Sequence, residues 1–314
     1  MRLHPIDIGG IMTPNNVFMA PLAGYTNYPF RRICLRSGAG LAFTEMVSAK
    51  GLHYGNANTR GLLITGDDEK IKAVQLFGSD PKVMREACES EELAPFSVVD
   101  INMGCPMPKI YNNGEGSALL ADCARAAEIV RECKKSGKRV TVKMRIGVTK
   151  EQMAGPSFAK ALEQAGADML TVHGRTKEQI YSGSVNAEAI AEIKSAVRIP
   201  VIANGGVFGT TDADMLLERS GADGVMVARA AMFDPQIFCD FTGMPRLKKL
   251  DMILTELTET EELYGARFAT VFIRKMAGFY MRGERGAAQA RTRFLSCASP
   301  DEIRLAAEEL LGAQ

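Results

Sequence analysis

The sequence predicts an α/β protein, a (β/α)8 TIM barrel followed by an all-helical C-terminal bundle. Three observations predict this fold. Eight short apolar runs alternate with segments of helical periodicity, and eight parallel strands are the number that closes such a barrel. Polar residues directly follow the C-terminal ends of these apolar runs. After about residue 241 the strand pattern stops, and 246–314 shows helical periodicity alone.

The eight runs are predicted to be parallel strands because they are short, rich in β-branched residues and bounded by turn residues. They are 17–20, 41–44, 73–76, 98–101, 140–144, 169–173, 201–203 and 225–228. Strands that alternate with helices imply right-handed βαβ units. Helices are predicted over 122–136, 158–165 and 212–220, the last capped by Thr211 and ended by Gly221.

Two further segments complete the prediction. The connection 45–72 is long and glycine-punctuated, so we expect short helical pieces there, over the barrel mouth. Ser299, Pro300 and Glu302 form a capping box that begins a last helix. We therefore expect a catalytic barrel domain over 1–241 and a helical domain over 242–314.

Composition excludes several classes of protein. The chain has 314 residues and a net charge of +1, which indicates no particular partner. Its seven scattered cysteines, with no CxxC pair, suggest reduced thiols in the cytoplasm. The three histidines lack metal-ligand spacing, so no metal is expected. No apolar run approaches the roughly 18 residues of a membrane helix.

Cys105 stands in a loop bounded by Gly104 and Pro106, directly after the strand predicted at 98–101. The glycine and the proline restrict the loop backbone, which favours a functional cysteine over a buried apolar filler. A thiol with a pKa of about 8.5 can serve as a general acid or as a nucleophile. The residues alone leave both roles open.

Chemistry in a TIM barrel occurs at the C-terminal ends of the strands. Gly205 and Gly206 follow the seventh strand and Arg229 follows the eighth, as in barrels that bind a phosphate, so a phosphorylated cofactor is predicted. Lys143 and Gln75 suit a flavin ring, since an ammonium stabilises developing negative charge and an amide pairs with a mixed donor and acceptor edge. His173 is open between general base, phosphate ligand and core histidine.

The chain resembles the dihydrouridine synthase family at these positions. The most specific stretch is Asn-Met-Gly-Cys-Pro at 102–106, with Lys109 and Gly-Ser-Ala-Leu-Leu at 116–120. Further stretches follow in the family's order, namely 19–26, 43–47, 142–145, 172–176 and 201–205. Three positions depart from the family's pattern: Gly206 where Asp is usual, Ala228 where Gly is usual, and Glu115 where a small residue is common.

The resemblance implies a flavin-dependent reduction of uridine in RNA. Reduced FMN would deliver hydride from N5 to uracil C6, Cys105 would protonate C5, and NADPH or NADH would be the reductant. Asn102 would orient the base, and Arg175 is a further candidate substrate contact. FMN would be held by Pro21, Leu22, Ala23, Gln75, Lys143, His173, Asn204, Gly205, Gly206, Ala228 and Arg229.

A basic segment predicts where RNA binds. Residues 267–293 hold seven basic side chains and one acidic one, a local charge of +6 that leaves −5 for the rest of the chain. Arg267, Arg274 and Arg282 recur at helical spacing and are expected to share one helix face, from which Arg274 and Arg282 contact RNA.

We expect the partner to be tRNA, and the protein to be a monomer. The alternatives are ribosomal RNA as substrate, a free-pyrimidine reductase like dihydroorotate dehydrogenase, and a non-catalytic flavin-containing RNA-binding protein.

Overall fold

The computed structural model describes residues 1–312, and eight of its strands form a closed parallel barrel. A two-stranded hairpin precedes the barrel. In chain order the strands are β1 Asp7–Ile8, β2 Ile11–Met12, β3 Val17–Met19, β4 Leu41–Ser48, β5 Ala73–Phe77, β6 Val98–Met103, β7 Arg139–Arg145, β8 Met169–His173, β9 Val201–Asn204 and β10 Gly224–Val227. β10 pairs with β3 and closes the barrel, which confirms the predicted fold class.

Several strands run further toward their C-terminal ends than predicted. β6 continues through Asn102 and β7 through Arg145, because polar side chains there still face buried positions inside the barrel. Register brings these residues together: Asp100 lies beside Gln75 on one neighbouring strand and beside Thr141 on the other. The polar ends of the strands therefore belong to the barrel itself.

The sequence did not predict the antiparallel hairpin of β1 and β2. Two-residue strands are too short to show an alternating pattern. Ile6 and Ile8 are buried against Val98 and Met169, which start their strands. The hairpin thus closes the N-terminal end of the barrel and leaves the C-terminal end for the site.

The helices alternate with the strands as predicted. They are α1 Tyr28–Arg36, α2 Ala49–His53, α3 Ala57–Gly61, α4 Pro81–Glu89, α5 Pro108–Tyr111, α6 Cys123–Lys134, α7 Gly155–Gln164, α8 Ala187–Ala196 and α9 Thr210–Ser220. α2 and α3 are the short pieces expected in 45–72. The cap predicted at Thr211 is wrong, because α9 begins at Thr210 after Gly209. Gly221 ends that helix in a left-handed conformation, as predicted (φ 62°).

The remaining helices follow without further strands. They are α10 Arg229–Phe233, α11 Phe238–Thr242, α12 Lys249–Tyr264, α13 Ala266–Tyr280, α14 Ala287–Leu295 and α15 Pro300–Leu311. Ser299 caps α15 by accepting from the Glu302 N–H, as predicted. Within 1–312, no helix is both long and apolar enough to cross a membrane.

The chain divides into two compact units. One comprises 1–28 and 39–228 and contains the barrel, and the other comprises 29–38 together with the residues from 229 onward. The expected division into domains 1–241 and 242–314 stays a prediction, since compact units do not show which segments fold independently.

Candidate active site

Four side chains of β5, β6 and β7 form a buried hydrogen-bond cluster inside the barrel. The two oxygens of Asp100 accept from different neighbours: Oδ2 from Gln75 Nε2 at 2.6 Å and Oδ1 from the Thr141 hydroxyl at 2.6 Å. Burial raises the pKa of Asp100 to about 6, although these hydrogen bonds and the charge of Lys143 lower it. Asp100 is thus ionised at neutral pH.

The cluster continues into the loop that carries Cys105. Asn102 Nδ2 donates to Gln75 Oε1 at 2.8 Å. Asn102 Oδ1 accepts from the backbone N–H groups of Gly104 at 3.1 Å and Cys105 at 2.9 Å. Two predicted site residues, Gln75 and Asn102, therefore contact each other and hold the backbone of a third.

Cys105 is half-buried, and its backbone is fixed on both sides. Its carbonyl accepts from the Ser117 hydroxyl at 2.8 Å and from the Ser117 N–H at 3.1 Å. Burial raises the pKa of the thiol, while a hydrogen bond from the Met107 backbone and the charge of Arg145 lower it. A thiol with a raised pKa keeps its proton at neutral pH, which favours a general acid over a nucleophile.

Lys143 is half-buried and places its ammonium group beside Asn204. Its Nζ donates to Asn204 Oδ1 at 3.2 Å, and Asn204 Nδ2 donates to the carbonyl of Met226 at 2.7 Å. Burial, followed by the charge of Arg145, lowers the pKa of Lys143 to about 8. In the part of the chain that the structure describes, no carboxylate forms an ion pair with Lys143. The group is therefore suited to an anionic ligand.

His173, Gly205 and Gly206 lie together at the ends of β8 and β9. Gly205 has a φ of 112°, and a Cβ at that position would lie 2.7 Å from Cδ2 of His173. Gly206 also has a positive φ, 73°. Only glycine permits this backbone so close to the imidazole. The role of His173 stays a prediction.

Two arginines next to the site bind backbone carbonyls. Arg145 donates to the carbonyls of Gly104, Thr176 and Ile180 at 2.8 to 2.9 Å. Arg175 donates to Gly183 O at 2.8 Å and to Ser182 O at 3.2 Å, and its Nη1 lies 3.4 Å from His173 Nε2. The guanidinium of Arg175 thus orders its own loop, and its expected contact with substrate stays a prediction.

The sequence placed Arg145 among the polar residues at the strand ends but assigned no individual role to Arg145 or to Asp100. A signal existed for both. Each is a charged residue at a buried position of a barrel strand, and a buried charge requires partners.

The remaining predicted cofactor contacts lie in turns and at strand ends. Pro21, Leu22 and Ala23 form the turn after β3, in which Leu22 O accepts from the Tyr25 N–H at 3.0 Å. Ala228 directly follows β10. Arg229 begins α10, in the second unit.

Arg274 and Arg282 lie in the second unit, and only Arg274 lies on a helix. Arg274 is half-buried on α13 and donates to the carbonyl of Cys297 at 3.4 Å. Arg282 follows the end of α13, and its guanidinium lies 4.1 Å from the ring centroid of Phe233. The expected helix face shared by both is therefore wrong, because the exposed Arg282 lies outside the helix.

Comparison with known proteins identifies relatives along nearly the whole chain. The family described as dihydrouridine synthase (Dus) matches residues 18–312. tRNA-dihydrouridine synthase B of Pseudomonas aeruginosa is 36% identical over 300 residues, which cover 92% of this chain and 90% of that protein. A probable tRNA-dihydrouridine synthase of Rickettsia bellii is 37% identical over 298 residues, 91% of each chain. tRNA-dihydrouridine synthase B of Vibrio cholerae is 33% identical, covering 95% of this chain and 96% of that protein.

Solved structures agree with the fold. An old yellow enzyme homologue from Zymomonas mobilis has a TM-score of 0.56 and 14% identity, covering 79% of this chain and 94% of its own. A variant of that enzyme has the same TM-score at 18% identity, with 83% and 96% covered. At these identities the similarity supports the barrel alone.

Proposed function

This chain belongs to the dihydrouridine synthase family and reduces uridine in tRNA to dihydrouridine, and we propose that it does so with FMN, with Cys105 as the proton donor. The observation that carries the proposal is the arrangement at one end of the barrel. There a neutral thiol lies in a loop held by Asn102 and Ser117, and the half-buried Lys143 forms no ion pair with a carboxylate among the described residues.

The residues at the strand ends fit a flavin. Lys143 would hold the anionic edge of the ring, since its half-buried side chain donates to a neutral amide oxygen, that of Asn204, and forms no ion pair among the described residues. Gly205 and Gly206 leave their backbone accessible to a phosphate because neither carries a side chain. Pro21, Leu22, Ala23, Gln75, His173, Ala228 and Arg229 stay proposed contacts. When bound, reduced FMN supplies the hydride.

Cys105 supplies the proton. The C5–C6 double bond of uracil gains a hydride at C6 and a proton at C5, so one general acid is sufficient. The thiol is protonated at neutral pH because burial raises its pKa. Asn102 fixes the backbone of this loop and is proposed to orient the base, and Arg145 holds the loop from its other side through Gly104 O.

We further propose NADPH as the reductant, with NADH as the alternative, and a monomer that binds tRNA through Arg274 and Arg282. A base that reacts inside a barrel has to leave its stack, so the enzyme requires a second surface for the rest of the RNA. The +6 segment 267–293 supports that surface. A cytoplasmic location would suit the cysteines, all seven of which are free thiols.

The test uses the purified protein with FMN and four substrates, each with NADPH or NADH: unmodified tRNA, ribosomal RNA, free uridine and orotate. Mass spectrometry of the products is expected to show dihydrouridine in tRNA alone, formed faster with NADPH. Product from free pyrimidines at a similar rate, or none from tRNA, would contradict the proposal.

A further inference from the structure

The hydrogen bonds that lead from Asp100 to the Cys105 loop all have the same direction. Gln75 donates to Asp100, Asn102 donates to Gln75, and the loop N–H groups donate to Asn102. Each side-chain amide presents its nitrogen toward Asp100 and its oxygen toward the loop. We call these three side chains, Asp100, Gln75 and Asn102, the amide relay.

Both ends of the relay impose that direction, because the loop N–H groups can only donate and an ionised Asp100 can only accept. An amide can be rotated to exchange its oxygen and nitrogen, so Gln75 and Asn102 have no intrinsic preference. An ionised carboxylate is an acceptor only, so Gln75 has to present Nε2 to Asp100 and Oε1 to Asn102. Asn102 then has to present Nδ2 to Gln75 and Oδ1 to the loop.

Burial makes the opposite direction of these hydrogen bonds unfavourable. Gln75 and Asp100 are each 1% exposed and Asn102 is 8% exposed, so water does not replace a lost partner. With the opposite direction, the Nδ2 of Asn102 would face the N–H groups of Gly104 and Cys105, and donors would meet donors. The reversed arrangement would leave these buried groups unsatisfied.

We infer that Asp100 is a positioning residue, which orients Gln75 and Asn102 and thereby holds the backbone of Cys105 in place for proton transfer. The catalytic part of this inference rests on the proposed function. Asp100 itself lies two members of the relay away from Cys105, so it acts through Asn102 and not on the substrate.

The experiment measures hydrogen exchange at the amides of Gly104 and Cys105, which needs no activity. Asp100→Asn can point either group at Gln75, so the direction is then enforced by the loop N–H groups and no longer from the Asp100 end. We expect exchange at these two amides to rise about fivefold, since a buried hydrogen bond is worth about 1 kcal/mol. Exchange in β8, at 169–173, is the reference for global stability and is expected to change less.

Thr141→Val is the matched control. It removes the other donor to Asp100, and because this raises the pKa of Asp100, exchange is compared well above neutral pH, where Asp100 stays ionised and Gln75 still faces an acceptor. Exchange at Gly104 and Cys105 is expected to stay at the wild-type rate, even if the whole protein becomes less stable.

A double variant tests the direction itself. In Asp100→Asn with Gln75→Glu, the new carboxylate accepts from Asn at position 100 and from Asn102, so Asn102 again presents its oxygen to the loop. Protection of Gly104 and Cys105 is expected to return to the wild-type level. The double variant keeps one carboxylate in the relay. It therefore still tests whether the direction of the hydrogen bonds protects the loop if the single variant does not fold.

Three results would overturn the inference: wild-type exchange in a folded Asp100→Asn, an equal rise in Thr141→Val, or no protection in the double variant. In turnover, Asp100→Asn is expected to lower kcat for dihydrouridine formation about tenfold at an unchanged KM for tRNA. If the wild type forms no dihydrouridine, the proposed function fails, while the exchange results still decide whether the relay exists.

Discussion

The two units each contain a buried carboxyl group, and the two groups accept different numbers of hydrogen bonds. In the barrel, both oxygens of Asp100 accept a hydrogen bond at 2.6 Å. In the helical unit, Glu256 accepts one, from the Tyr280 hydroxyl at 2.8 Å, and its Oε1 has no partner among the described residues. Burial raises the pKa of Asp100 to about 6 and that of Glu256 to about 8.

The difference shows how hydrogen bonds decide the state of a buried acid. Both side chains lose the hydration that stabilises a charge. Two hydrogen-bond donors and the charge of Lys143 restore part of this stabilisation to Asp100. It therefore stays ionised at neutral pH and can orient its neighbours. Glu256 has one donor and a nearby Glu259, so it is largely protonated. We therefore expect changes in the barrel to affect chemistry, and changes in the helical unit to affect RNA affinity and stability.

Cys105→Ala is expected to have the largest effect. Loss of a general acid lowers turnover by about 10²- to 10⁴-fold. Dihydrouridine formation is followed in tRNA, and FMN content by flavin absorbance, which should stay at the wild-type level. Cys123→Ala, at an exposed cysteine that begins α6, is the control and should retain full activity. Wild-type turnover by Cys105→Ala would remove the thiol from the reaction.

Lys143→Met is expected to weaken FMN binding. It removes the half-buried ammonium, and a hydrogen bond to a charged group contributes about 1.5 to 3 kcal/mol, or about 10- to 150-fold in affinity. Titration of the apoprotein with FMN measures this affinity. The control is Lys138→Met, since Lys138 bonds the carbonyls of Leu93 and Phe96 at the start of the barrel strands. Equal FMN affinity in wild type and Lys143→Met would contradict the assignment.

Arg274→Gln with Arg282→Gln is expected to weaken tRNA binding while FMN reduction by NADPH stays unchanged. Each lost phosphate contact lowers the slope of log K against log salt by about 0.7 to 0.9. Binding is measured at several salt concentrations. Arg219→Gln, which removes a surface ion pair with Glu188 on the barrel helices, is the matched control. If both variants give the wild-type slope, the RNA surface lies elsewhere.

Glu256→Gln is expected to change only the pH dependence of stability. A folded-state pKa of about 8, above the ordinary 4.5, means that the folded state binds the proton more tightly. The free energy of unfolding of the wild type therefore falls as pH rises from 4.5 toward 8, by up to about 1.4 kcal/mol per pH unit. The neutral glutamine lacks this dependence, so denaturant unfolding should show a flatter profile from pH 5 to 8. Parallel profiles would contradict the raised pKa.

Sequence alone predicted the barrel because its strands are short β-branched runs and because glycines such as Gly221 end its helices. It also located Cys105, since the loop follows a strand directly. It could not predict the amide relay, in which Asp100 contacts residues at positions 75 and 141, because strand register brings these residues together. The helix face expected for Arg282 was wrong because α13 ends at Tyr280.

The most direct test of the central claim maps dihydrouridine in RNA from cells with and without this protein. Without it, at least one tRNA position is expected to hold uridine in place of dihydrouridine. Wild-type protein should restore the modification, and Cys105→Ala should not. Identical maps in both cells, or a loss confined to ribosomal RNA, would contradict the account.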